Sequence, residues 1–141
     1  MSTLTLAQAN RIIEVALARA REMKVKPLSV AVLDAAGHVR AMQREDGASM
    51  FRNDVAVGKA WAAVGMGVAS RTLLQRAKEN PQFFGALSAT AQGKFLPQTG
   101  AVVIKDRDGA VLGAVGASGG TGDEDEAVCI AGVEAAGLGH G

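Results

Sequence analysis

Apolar positions recur at helical spacing from the start of the chain: Leu6, Ala9, Ile13, Ala16, Ala20 and Met23 form one stripe. Thr5 and Gln8 stand three apart, the spacing of a capping box in which each side chain satisfies the other's free amide. This pattern predicts a first helix that ends near Lys24, ahead of Pro27. The period then changes. Leu28 to Leu33 is a short, β-branched apolar run, Asp34-Ala35-Ala36-Gly37 is turn chemistry, and His38 to Met42 alternates. A β-hairpin is predicted there. The same plan returns in Ala101 to Ile104, the turn Asp106-Arg107-Asp108-Gly109, and Ala110 to Val115.

Between the hairpins the period is again helical. Ser49 is placed to cap a helix from about Phe51 to Val68, and Ser70 to cap a second from Thr72 to Lys78, closed by Asn80-Pro81. Gln82 to Gln98 is less regular and reads as a short helix plus loop. The tail runs from a strand through Gly116 to Gly122 (GASGGTG) into a helix reaching Ala136, with Thr121 and Glu124 repeating the capping-box spacing. The order α-β-β-α-α-β-β-α predicts an α/β domain of the α+β kind, an antiparallel sheet with helices packed on it.

Composition narrows the class. The chain has 141 residues, 48% hydrophobic and 21% charged, which suits one domain over 1–141. A chain of this length buries roughly 68–70% of its unfolded surface, so it needs neither metal nor disulfide to fold. Cys129 is the only cysteine. A net charge of +1 and 4% aromatics give nothing to hold nucleic acid by charge or stacking. Arg11, Glu14 and Arg19 interrupt the first twenty residues, and uncharged runs such as Ala60 to Ser70 fall short of the ~20 residues of a membrane span. No membrane segment is expected, and the expected location is cytoplasmic.

Few residues announce chemistry. The GASGGTG loop precedes a helix, where amides hold anions, yet it lacks G-x-G-x-x-G and G-K-[ST], and four carboxylates follow it. A structural loop is expected, its glycines letting the backbone approach a neighbouring subunit or a small ligand. Asp123 to Glu126 do not all face one point on a helix, so they are read as complementing the helix dipole, and no metal site is assigned. Lys59 lies four after Val55 and four before Ala63, on the apolar face of its helix. It either reaches into a cavity to hold a carboxylate or snorkels to water. Arg44 and Asp46 either bind a polar ligand or pair with each other. His38 at a turn and His140 in a frayed terminus have no triad or zinc partners, and Cys129 reads as core. Most of Phe51, Trp61, Met66, Phe83, Phe84 and Phe95 also read as core. No catalytic residue is identified.

Three segments in order, VAVLDAAGHVRAMQREDGA, DVAVGKAWAA and GAVLGAVGASGGTGDEDEAVCIAG, resemble the GlcG/HbpS-like family, which includes the haem-binding carboxy-terminal domain of PduO proteins. The likeness runs from Leu4 to about Ala136. It implies a five-stranded antiparallel sheet flanked by helices in a profilin-like arrangement, assembly into homo-oligomers, and a small-molecule ligand, haem in some relatives. The family's recurring positions fall on Asp34, Gly37, Arg44, Asp46, Lys59, Gly116, Ser118, Gly119, Asp125 and Glu126, and the resemblance implies that several converge on one ligand pocket shared across a subunit interface. There are departures. Relatives often read G-G-x-P where this chain has Thr99-Gly100-Ala101-Val102, and the PduO domain takes a haem-binding histidine from its first helix, where this chain has none. Lys59, His38 or a methionine would then serve the iron. The expected function is a small-ligand-binding, haem-binding accessory protein. The alternative is an enzyme acting on a small carboxylate or carbonyl compound, with Lys59 and Arg44 holding the acid and Asp125 or Glu126 moving a proton.

Overall fold

The computed structural model describes residues 3–141. Helix α1 (Leu6–Glu22) opens with the capping box: Thr5 Oγ1 accepts from the Gln8 amide and Gln8 answers on the Thr5 amide. Its buried stripe is Ala9, Ile12, Ile13, Ala16 and Ala20. Two strands follow as a hairpin, β1 (Ser29–Asp34) and β2 (Val39–Arg44), and Asp34 Oδ1 closes the turn by accepting from the Ala36 and His38 amides. Three helices come next, α2 (Phe51–Met66), α3 (Ser70–Glu79) and α4 (Pro81–Thr90). The second hairpin is β3 (Ala101–Lys105) and β4 (Val111–Ser118), and α5 (Gly122–Ala135) and a two-residue β5 (Gly139–His140) complete the chain.

The sheet order is β2-β1-β4-β3-β5, antiparallel throughout. Alternate residues on its three central strands face opposite sides. Val30, Val32, Val102, Ile104 and Val115 pack with α1 and α5, while Leu33, Ala101, Val103 and Ala114 meet Ala60 and Ala63 of α2. Both faces are covered, so these strands are apolar without alternation. Gly116 is the point of closest approach. A Cβ there would stand 2.4 Å from Ala56 O and 3.1 Å from Ala60 N, so α2 rests on bare backbone of β4.

Several local expectations change. Ser49 is not a cap: Met50 holds that position without a side-chain bond, and Ser49 contributes only its carbonyl to the Arg52 amide. Helix α2 ends at Met66, because Gly67 turns left-handed. Ser70 is the first helical residue of α3, and its buried hydroxyl bonds both the amide and the carbonyl of Ala101, tying α3 to β3. The terminus is not frayed, since His140 pairs with Ile104 and Gly141 exchanges backbone bonds with Val103. Of the aromatic and methionine set, Phe84 and Phe95 are buried, whereas Phe51, Phe83 and Met66 are exposed. Among the described residues no helix is long and apolar enough to cross a membrane.

Cys129 lies in the core between α5 and the sheet, and burial pushes its thiol well above the usual range. Reaction needs the thiolate and access, and the folded chain offers neither. Ellman's reagent is therefore expected to titrate no thiol in the native protein and one per chain in strong denaturant. Prompt reaction under native conditions would show that α5 opens.

Candidate functional site

Lys59 stands on the sheet-facing side of α2 and is 6% exposed. Its Nζ donates to Ala117 O on β4 and to Asp125 Oδ2 on α5, each at 3.1 Å. The Asp125 side chain is 1% exposed, and its Oδ1 accepts from the Gly120 amide at 2.9 Å. Gly100 makes room for the lysine. It has a φ of +139°, and a Cβ there would lie 2.7 Å from Lys59 Nζ and 3.0 Å from its Cδ. Burial pushes the Asp125 carboxyl above its ordinary value, while the Lys59 charge and the Gly120 and Gly119 amides act in the opposite direction.

This pair borders a cleft of ≈ 450 Å³ whose other walls include Arg52, Gln98, Thr99 and Ser118. Arg52 Nη1 donates to Ser118 Oγ at 2.8 Å, and one residue along α2 the Asn53 amide oxygen accepts from Ser29 Oγ at 2.6 Å. The first turn of α2 is thus fixed to the ends of β1 and β4 by polar contacts, where its Ala60–Ala63 stretch is fixed by packing. On the outer rim Arg71 of α3 pairs with both Asp123 and Glu126 of α5.

The ten recurring positions separate into groups. Lys59, Ser118 and Asp125 line the cleft, Gly119 turns its amide to Asp125 while its Cα faces Pro27 and Leu28, and Gly116 lies beneath α2. Glu126 faces Arg71 on the rim, away from Lys59. Asp34 and Gly37 sit at the opposite end of β1, about 17 Å along the strand from Ser29. Asp34 there borders a larger concavity of ≈ 850 Å³ with Arg40, Asp106 and Asp108. Arg44 and Asp46 border a third hollow, and they do not form the expected pair with each other. Arg44 donates to Ala48 O, and the ion pair in that region joins Arg21 to Glu45 at 3.0 Å. The proposed acid-holding partnership of Lys59 with Arg44 therefore has no common cavity.

The glycine loop mainly meets its own chain. A Cβ at Gly119 would lie 2.4 Å from Pro27 O, and one at Gly122 would lie 2.9 Å from the Thr99 side chain. The four carboxylates after it go to separate partners: Asp123 and Glu126 to Arg71, Glu124 to the capping box and Asp125 to Lys59. Arg52 escaped the sequence reading, although it lies seven residues before Lys59, two turns along the same helix face. Arg71 carried no comparable signal, because 52 residues separate it from Asp123.

Comparison with known proteins agrees with this architecture. The family described as "Haem degrading protein HbpS-like" matches residues 4–134. The chain belongs to the HbpS-like family. It is 30% identical over 125 residues to an uncharacterised 15.0 kDa protein of Citrobacter freundii, a match covering 89% of this chain and 86% of that one. It is also 29% identical over 123 residues, or 87% of its length, to the corrinoid adenosyltransferase PduO of the same organism, of which it spans only 36%. Among solved structures, the PduOC:haem complex superposes with a TM-score of 0.88 at 28% identity, covering 98% of both chains.

Proposed function

We propose that this chain is a small-ligand-binding protein whose ligand is haem, held where two copies of the chain meet. The observation carrying this reading is the superposition, over nearly all of both chains, on a relative crystallised with haem. Haem asks for an apolar surface, a cation near its propionates and an axial ligand. The cleft beside Lys59 does not fit, since its walls are largely polar and charged, with Arg52, Thr99, Ser118, Asp123 and Asp125 where a porphyrin needs apolar surface.

The edge strand β2 does fit. Val39 and Met42 pair with Leu33 and Ala31, so they lie on the α2 side of the sheet, where both remain exposed. Arg44 shares that face, and Met50 and Phe51 stand exposed at the start of α2. Met42 would hold the iron through its thioether, because the residue is exposed on the same face as Val39 and Arg44 and α1 contains no histidine. His38 is more exposed, at the hairpin turn, with Asp34 3.9 Å away. Bound haem would supply an iron centre for ligand or electron exchange; the chain supplies the apolar edge, the cation and the thioether. One chain does not enclose a porphyrin here, which is the reason for a second copy.

Haemin titrated into the pure protein should give a saturable Soret shift at one haem per chain or per pair of chains. Met42→Ala should shift the band and weaken binding. A linear, non-saturating response would overturn the reading.

A further inference from the structure

Four charged residues line the cleft beside Lys59, and three have ion-pair partners. Lys59 and Asp125 pair with each other, and Asp123 is held by Arg71. Arg52 is the fourth. Among the described residues it forms no ion pair and uses one guanidinium donor, on Ser118 Oγ at 2.8 Å. Arg52 is half-buried, and the hydroxyl that orients it belongs to a residue only 1% exposed. A positioned arginine with free donors at the wall of a concavity is suited to recognising an anion.

We infer that this cleft binds a small monocarboxylate bearing a hydroxyl or oxo oxygen. Arg52 has no carboxylate partner among the described residues, and its guanidinium fork takes the two oxygens of one ligand carboxylate in a plane. A phosphate dianion would have to approach the carboxylates of Asp123 and Asp125. The second oxygen of the ligand would meet Lys59, which lines the cleft and has two of its three donors taken, by Ala117 O and Asp125. Thr99 and Ser118 add hydroxyls. The size also fits, since ≈ 450 Å³ lies at the small end of the range for ligand sites. The inference is independent of haem, which is assigned to the edge at β2.

The test is calorimetric titration of the haem-free protein with lactate and with pyruvate, using lactamide and inorganic phosphate as controls. Saturable binding of at least one acid is expected, with lactamide and phosphate weaker. Arg52→Gln should weaken that binding by about ten- to a hundredfold, with a modest fall in its urea midpoint from the lost Ser118 contact. Arg52→Lys keeps the charge and loses the fork, so it should fall between the two and serves if the glutamine variant misfolds. No saturable binding of either acid up to about 20 mM would overturn the inference. So would equal affinity in both Arg52 variants, or phosphate or lactamide binding as tightly as the acids.

Discussion

Lys59→Met is expected to destabilise the fold by about 3–5 kcal/mol, because it leaves the Asp125 carboxylate buried without its counter-charge. Asp125 would retain only its backbone amide contacts, including that from Gly120 at 2.9 Å. The loss should depend on pH with a definite sign. Burial already raises the Asp125 carboxyl, and removing Lys59 removes the largest influence that lowers it. The folded variant therefore holds a proton more tightly than the unfolded chain. That contribution is fully present below the ordinary aspartate value of about 3.9 and is lost as pH rises through the folded value. Urea unfolding between about pH 4 and pH 8 should show the deficit growing with pH.

Lys59→Met combined with Asp125→Asn removes both charges and keeps an acceptor for Gly120, so it should recover more than half of the loss. A double variant no more stable than Lys59→Met would show that the two charges are not coupled.

The second large effect concerns two glycines. Gly116→Ala should cost about 1–3 kcal/mol, because its Cβ would meet the backbone of α2, which no rotamer change relieves. Gly65→Ala should do the opposite. Gly65 lies within α2, with nothing within 4 Å of the point where a methyl would stand, and alanine there gains about 0.5–1 kcal/mol through helix propensity. Denaturation midpoints of the two variants should move in opposite directions. A gain of stability in Gly116→Ala would mean that α2 and β4 can part enough to admit a methyl group, and a loss in Gly65→Ala would mean that the surroundings of that helix position oppose a methyl.

The fold was largely readable because local chemistry and tertiary packing agree along most of the chain. The Thr5–Gln8 and Thr121–Glu124 boxes form at the predicted residues, and the two Asp-x-x-Gly turns close the two hairpins. Misplaced caps arose where tertiary contacts claimed the serine. Ser70 bonds β3 in preference to its own helix, which the spacing around it does not reveal. The β5 pairing rests on two exposed residues with no apolar pattern.

For the site, helix periodicity placed Lys59 on the apolar face, and its long reach to α5 followed only from three-dimensional packing. The recurring positions of the family mix two roles: Lys59 and Asp125 meet each other, whereas Asp34 and Gly37 shape a turn at the far end of β1. Sequence order cannot separate these roles, since both sets are polar residues and glycines at element ends. Arg52 was legible in principle from its spacing to Lys59, but an arginine in a first helical turn is so often solvated that spacing alone does not single it out.

A crystal structure of the protein grown with haemin tests the central claim most directly. The account predicts a porphyrin between two copies at the β2 edge, with Met42 on the iron and Arg44 near a propionate. Haem seated inside a single chain, or in the cleft beside Lys59, would contradict it.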